Sequence, residues 1–139
     1  MDFDMTQLLD AILDTLIPPS EDGRMPGAGS LGIAKALRAQ IADHDEVVNT
    51  GLEALRSARF IELDIEGRSE VLRSLEVSQP QFIASLYPPA CTIYYQHPDV
   101  WVGLGLEPRP PHPKGYELEA GDLSALDRVR ARGKLYRDA

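Results

Sequence analysis

The sequence predicts an all-α protein, a bundle of about five helices followed by an extended, proline-rich carboxy-terminal arm. Three observations lead to this prediction. Apolar residues recur at helical spacing in successive segments of the first hundred residues. No segment shows the strict alternation of polar and apolar residues that is typical of a half-buried strand. Eight of the eleven prolines lie from Pro80 onward, and proline both fixes φ and removes a backbone donor.

The first predicted helix has a broad apolar face and ends at Pro18-Pro19, because the residue before a proline avoids the helical conformation. A loop rich in glycine and proline follows, and Ser30 is the predicted N-cap of a second helix. The apolar face of the first helix consists of Leu8, Leu9, Ile12, Leu13, Leu16 and Ile17.

Capping residues and prolines predict where the later helices begin. The acidic stretch Asp43 to Glu46 is expected to separate the second helix from the third, and Asp64 is expected to cap the fourth. Pro80 suits the first turn of the fifth helix, which Pro88-Pro89 must kink or restart. A short turn is predicted around Asp99 to Leu104.

The remaining segment is predicted to be an arm that lies against protein. Pro108, Pro110, Pro111 and Pro113 favour polyproline II geometry, which leaves backbone groups without internal partners. We therefore divide the chain into a helical domain over residues 1–104 and an extended arm with a basic tail over 105–139. Five Lys/Arg against two Asp give residues 123–139 a net charge of +3, and this tail suits either an acidic surface or simple solvation.

Composition narrows the class of protein. A net charge of -8 argues against broad nucleic-acid binding, which needs cations to neutralise phosphates. The single cysteine, Cys91, excludes an internal disulfide. No apolar run approaches the length of a membrane span, and no export signal is visible near the start. We expect a cytoplasmic protein as given, or a periplasmic one if it is co-exported with a partner or if the start is truncated.

Two features of the sequence suggest a binding or catalytic site but lack the structural context that such a site needs. Gly27 to Gly32 matches G-x-G-x-x-G, but a dinucleotide site needs a preceding strand, and here a helix precedes. Cys91 lies inside a predicted helix with no histidine activator at a recognisable spacing, so we expect a small buried side chain. We predict no catalytic, cofactor-binding or metal-binding residues in this chain.

Several segments together resemble the gluconate 2-dehydrogenase subunit 3 family. These are LLDAILDTLIPP (8–19), PGAGSLGIAKAL (26–37), FIELD (60–64), EVLRSLE (70–76) and the terminal block YYQHPDVWVGLGLEPRPPHPKGYELEAGDLSALDRVRARGKLYR (94–137). The resemblance spans nearly the whole chain. The IPP–loop–PGA start is its most specific mark, whereas the helical middle is generic.

The resemblance implies a non-catalytic accessory subunit. In this family the FAD and the active-site bases belong to a large partner of the glucose-methanol-choline (GMC) oxidoreductase type, which oxidises sugars or polyols. The small subunit is thought to help that partner fold and, where it carries a twin-arginine leader, to bring it across the membrane. This chain shows no such leader. The resemblance therefore implies an assembly factor that acts through protein–protein interaction.

An accessory subunit would contact its partner through the region from Tyr94 to Arg137, where prolines preset φ angles and so reduce the entropy lost on docking. Aromatic side chains and arginine supply the largest interface contributions. The predicted partner-binding residues are Trp101, Leu104, Leu106, Arg109, Tyr116 and Arg130.

Two alternatives stay open at this point. One is a stand-alone small ligand- or metal-binding helical protein that uses His97, Asp99 and His112 in a cleft. The other is a structural homodimer in which the arm crosses to a twin chain. Against all three hypotheses, the accessory subunit included, stands an arm that only covers its own helices.

Overall fold

The apolar periodicity of the first segment folds into helix α1 (Asp2–Leu16), which ends just before Pro18-Pro19. The computed structural model describes residues 2–41 and 45–134. Within them no strand is found, and the predicted all-α bundle of about five main helices is confirmed. The other helices are α2 (Ala34–Ile41), α3 (Asp45–Ser57), α4 (Ile65–Ser78), α5 (Pro80–Gln96), α6 (Pro98–Gly103) and α7 (Asp127–Arg130).

The chain forms two compact units, Met1–Arg109 and Pro110–Ala139. The first contains α1 to α6 and all of the buried apolar residues found in the described part. In the second, a 3₁₀ turn (Ser124–Leu126) leads into α7, and every described residue other than Gly115 is exposed. The predicted division into a domain over 1–104 and an arm over 105–139 stays a prediction.

The core of the first unit is built around α5, which contacts α2, α3, α4 and α6. Phe82 and Leu86 of α5 are fully buried, and burying such a side chain contributes about 1.5–3 kcal/mol. Helix α3 approaches α5 at Gly51, where a Cβ atom would lie only 2.2 Å from the Phe82 ring. Any larger residue at position 51 would therefore push the two helices apart.

The predicted helix boundaries have mixed outcomes. Asp64 caps α4 as expected, its Oδ1 accepting a hydrogen bond from the Gly67 N–H at 2.8 Å, and Pro80 occupies the first turn of α5. The prediction for Ser30 is wrong. It lies in a 3₁₀ turn, its hydroxyl donates to the Gly27 carbonyl, and α2 begins only at Ala34.

The prolines inside α5 do not divide it, because the helix continues through Pro88-Pro89, with buried residues Leu86 and Ala90 on either side of the pair. The predicted restart is therefore wrong, and the alternative, a kink, stays a prediction. The predicted turn at Asp99 to Leu104 is a helix, α6, with Pro98 in its first turn. The capping stretch at Asp43 to Glu46 lies partly outside the described residues.

Candidate partner-binding surface

The loop between α1 and α2 folds back on α1 because its glycines allow a close approach. The Gly29 N–H donates to Asp14 Oδ1 at 2.8 Å, and a Cβ atom on Gly29 would lie 2.3 Å from the Asp10 carbonyl oxygen. A Cβ atom on Gly27 would lie 2.5 Å from Asp14 Oδ1. The first two glycines of the G-x-G-x-x-G spacing therefore serve contact with a helix, and no strand precedes them in the described chain.

The same loop is attached to α5 and α6. The buried Tyr94 of α5 donates its hydroxyl to the Pro26 carbonyl oxygen at 2.8 Å. On α6, a Cβ atom on Gly103 would lie 2.4 Å from the Arg24 carbonyl oxygen. The Arg24 guanidinium in turn donates to the Gly103 carbonyl oxygen at 3.3 Å. Helix α6 is thus held against the loop by contacts with backbone.

Helix α6 buries one side and exposes the other. Val100 is fully buried and anchors the helix to the core. His97 caps its start, with Nδ1 accepting from the Asp99 N–H at 3.3 Å. At its end, the Leu106 N–H donates to the Trp101 carbonyl oxygen at 2.8 Å, so the chain turns back beside α6. The short helix is therefore fixed at both ends.

An apolar surface, which we call the α6 patch, covers the exposed side. Tyr95, Val102, Leu104 and Leu106 are each between 48% and 59% exposed. Trp101 is half-buried, and its Nε1–H donates to the Tyr95 carbonyl oxygen. Five large apolar side chains thus share a stretch of twelve residues. Contiguous exposed apolar patches mark interaction surfaces, whereas single exposed apolar residues are normal on a soluble protein.

The structure places the six predicted contact residues in two units. Trp101, Leu104 and Leu106 belong to the α6 patch, and Arg109 follows it, paired with Glu107. The other two predicted residues lie in the second unit. Tyr116 is exposed there, and Arg130 on α7 has its Nη1 3.4 Å from Asp127 Oδ1.

Sequence reasoning missed Tyr95 and Val102 as members of this surface. Tyr95 falls inside the apolar run of α5, where periodicity does not separate it from its buried neighbour Tyr94. The two rings meet edge-on with centroids 5.2 Å apart. The dipeptide Pro98-Asp99 is a recognisable helix start, and it is the signal in the sequence that indicates α6.

The histidine and cysteine candidates are distributed over α5, the start of α6 and the second unit. His97 and Asp99 meet at the start of α6, with Nδ1 3.8 Å from Asp99 Oδ2, while His112 belongs to the second unit. Among residues 2–41 and 45–134, no three His, Cys, Asp or Glu side chains form a group that could hold a metal ion. The expectation that Cys91 is buried is wrong, because it is only half-buried on α5; its hydrogen bond with Tyr87 raises the pKa of that tyrosine.

The carboxyl group of Asp10, on α1, is electrostatically unusual. Burial raises the pKa of Asp10 above its ordinary value of 3.8, and the nearby charge of Asp14 raises it further. Asp10 Oδ1 is buried and has no hydrogen-bond partner in the part of the chain that the structure describes. The charged form of Asp10 is therefore disfavoured in the folded protein.

The comparisons with known proteins give one match. The family model described as Gluconate 2-dehydrogenase subunit 3 matches residues 4–105, a range that covers α1 to α6 and most of the α6 patch. No curated protein and no solved structure matches the chain. No helix of the described residues has the length and apolar character to cross a membrane.

Proposed function

The chain belongs to the gluconate 2-dehydrogenase subunit 3 family, and we propose that it is a non-catalytic accessory subunit of a dehydrogenase complex. In this proposal it binds and stabilises a large FAD-dependent sugar or alcohol dehydrogenase of the GMC type. FAD and the reacting groups belong to that large subunit.

The observation that carries the proposal is the α6 patch. Tyr95, Val102, Leu104 and Leu106 expose apolar surface to water. Helix α6, which carries Val102 and lies between the other three along the chain, is held against the core by Val100 and against the loop by Gly103. A preformed apolar surface loses little conformational entropy on binding, so most of its burial contributes to affinity. A rigid surface of this kind fits a stable subunit contact.

The carboxy-terminal unit supports the proposal independently. Its large apolar side chains are exposed, with Leu118 89% accessible to solvent. A segment that gains little from burying its own side chains is stabilised when a partner buries them. We therefore assign the second unit, together with the α6 patch, to the contact with the large subunit.

Localisation follows the partner in this proposal. The chain acts in the cytoplasm if its partner stays there, and in the periplasm if the assembled complex is exported. The complex needs no direct insertion of this subunit into a membrane.

The test measures by calorimetry the affinity of the purified chain for a large GMC-type flavoprotein dehydrogenase from the same organism. The double variant Leu104→Ser/Leu106→Ser removes apolar area from the α6 patch, and we expect Kd to rise about tenfold or more, as for interface anchors. Val77→Ser is the matched control, because Val77 is 86% exposed near the end of α4, outside the patch.

Two results would count against the proposal. Absence of binding by the wild-type chain would reject the subunit role. Equal affinities of the patch variant and the control would reject the α6 patch as the contact. Circular dichroism of each variant shows whether the helical fold is kept.

A further inference from the structure

Helix α5 carries no charged side chain. From Val77 to Pro98 the sequence has no Asp, Glu, Lys or Arg, although these four residue types make up 26% of the chain. The outward side of a surface helix normally carries charged or polar side chains, and a helix that is apolar all round is buried. The composition of α5 is therefore typical of a helix that is covered on every side.

One side of α5 is nevertheless exposed, and we call it the α5 face. Tyr87, Cys91 and Tyr95 follow one another at four-residue intervals, which places them on the same side of the helix. Tyr87 is 46% exposed and Tyr95 54% exposed, and Cys91 between them is half-buried. Ala84 and Pro88 are exposed as well and complete the face. A mainly apolar, uncharged surface thus faces water.

The proline pair leaves two backbone acceptors beside this face. In an α-helix each carbonyl oxygen accepts a hydrogen bond from the N–H four residues later. Pro88 and Pro89 have no N–H to donate, so the carbonyl oxygens of Ala84 and Ser85 lack their helical donor. These two oxygens depend on a donor from outside the backbone of the helix.

The α5 face is continuous with the α6 patch. Tyr95 belongs to both surfaces, and the Trp101 Nε1–H donates to the Tyr95 carbonyl oxygen. The centre of a protein–protein interface is depleted of charged residues and enriched in tyrosine and tryptophan, whereas polar residues gather at its rim. The α5 face has the composition of such a centre.

We propose that the α5 face forms the uncharged centre of the contact with the large dehydrogenase subunit, which supplies N–H or O–H donors to the carbonyl oxygens of Ala84 and Ser85. The inference rests on the proposed function and adds the chemistry of the partner's surface, which is apolar, uncharged and equipped with hydrogen-bond donors. The tyrosines supply contact area. The two acceptors fix the register, because a partner that misses them leaves buried carbonyl groups unpaired.

The two acceptors favour this occupant over a lipid or a second copy of the chain. Lipid acyl chains carry no hydrogen-bond donors. A second copy would present the same α5 face, on which the hydroxyls of Ser85 and Thr92 already donate to carbonyl oxygens of their own helix, at 2.8 and 3.0 Å. The hydroxyl of Tyr87 is likewise engaged in a hydrogen bond with Cys91. A partner of different sequence can place its donors opposite Ala84 and Ser85.

The first experiment adds a charge to the α5 face of the full chain. Calorimetry measures Kd for the large GMC-type flavoprotein dehydrogenase. Ala84→Glu and Ala84→Lys should each raise Kd about tenfold or more, because either sign buries an unpaired charge in an uncharged contact. Ala39→Glu and Ala39→Lys are the matched controls, since Ala39 is an exposed alanine on α2, and they should keep the wild-type Kd.

The second experiment gives the two carbonyl oxygens a donor within the helix. Pro88→Ala/Pro89→Ala restores both N–H groups, so we expect a higher midpoint of thermal unfolding together with a Kd raised about tenfold. Weaker binding by a more stable chain separates a lost acceptor from a damaged fold. Pro80→Ala is the control, because Pro80 lies in the first turn of α5, where its N–H would have no helical acceptor. This control should keep the wild-type Kd.

The outcomes separate this inference from the proposed function. If the wild-type chain fails to bind the flavoprotein, both are rejected. If Leu104→Ser/Leu106→Ser weakens binding while the Ala84 variants bind as the wild type does, the α5 inference is wrong and the subunit role stands. A proline variant that is more stable and keeps the wild-type Kd would also overturn the inference.

Three further results would overturn it. Weaker binding with one charge at position 84 and tighter binding with the other would mean that the partner's surface is charged there. Light scattering that finds a dimer of the wild-type chain alone and a monomer of Ala84→Glu would assign the face to a second copy. Binding of the wild type to phosphatidylcholine vesicles, lost in Ala84→Glu while flavoprotein binding is unchanged, would assign it to lipid.

Discussion

The hydroxyl of Tyr94 donates a hydrogen bond to the Pro26 carbonyl oxygen, 2.8 Å away, although 68 residues of chain separate them. Tyr94 is 2% exposed, so the bond forms in a largely dry environment. It joins the loop after α1 to the end of α5, next to the residues that lead into the α6 patch. The loop after α1, which carries the segment most specific to the family, is thus bonded to the helix that leads into the α6 patch.

Removal of this hydroxyl should lower stability without changing the fold. Tyr94→Phe keeps the ring and leaves the Pro26 carbonyl oxygen without its partner. We expect the free energy of unfolding to fall by about 1 kcal/mol, the usual net contribution of a protein hydrogen bond. Urea unfolding measures the change. Tyr95→Phe is the control, since Tyr95 is exposed, and equal losses in both variants would mean that the Pro26 bond stabilises nothing.

A methyl group at position 29 should disturb the packing of the α1–α2 loop against α1. The Cβ atom of Gly29→Ala would lie 2.3 Å from the Asp10 carbonyl oxygen and 2.7 Å from Asp14 Cγ. We expect a loss of about 1–3 kcal/mol, as for other overpacked sites, measured by thermal and urea unfolding. Gly121→Ala is the control, because nothing lies within 4 Å of its Cβ position. An unchanged stability of Gly29→Ala would show that the loop does not sit on α1 in this way.

Ionisation of Asp10 should make the protein less stable as pH rises. Burial and the charge of Asp14 raise the pKa of Asp10 in the folded state above 3.8. A raised folded pKa gives a contribution that is complete below the unfolded pKa and is lost as pH rises through the folded pKa. Asp10→Asn removes this ionisation, so its stability relative to the wild type should be greater at about pH 7 than at about pH 4.

Urea midpoints of both proteins at the two pH values measure this difference. Glu53→Gln on the exposed side of α3 controls for the general loss of one negative charge. If the stability of Asp10→Asn relative to the wild type is the same at the two pH values, ionisation of Asp10 does not destabilise the folded protein.

The cap of α4 should contribute measurably to stability. Asp64 Oδ1 accepts from the Gly67 N–H, and loss of an aspartate N-cap typically costs about 0.5–2 kcal/mol. We expect Asp64→Ala to show a loss of this size in urea unfolding. Asp64→Asn, which keeps an acceptor oxygen, should lose much less. If the two variants are equally destabilised, the carboxylate acts through its charge and not through the cap.

The sequence predicted those features that depend on local chemistry. The bundle follows from apolar periodicity, and Asp64 and Pro80 mark helix starts because capping and proline geometry act within one turn. Ser30 shows the limit of the same rule. Its hydroxyl bonds to the Gly27 carbonyl, since the glycines hold this segment on α1, and the α-helix starts later.

The remaining features depend on distant contacts. The Tyr94 bond to Pro26 and the approach of Gly103 to Arg24 join segments with no common local signal. Helix α6 has six residues and one buried side chain, too few for a period to appear. Residue type and family resemblance predict Trp101, Leu104 and Leu106, and the structure adds that the two leucines are exposed and Trp101 is half-buried. Their role in binding stays a prediction.

The central claim is that this chain stabilises a flavoprotein partner, and the most direct test is the FAD content of that partner. The large subunit is expressed with and without this chain, and its soluble yield and bound FAD per mole are measured by absorbance. We predict that co-expression raises both, and that Leu104→Ser/Leu106→Ser removes much of the gain while Val77→Ser keeps it. A large subunit with the same yield and FAD content in the absence of this chain would contradict the account.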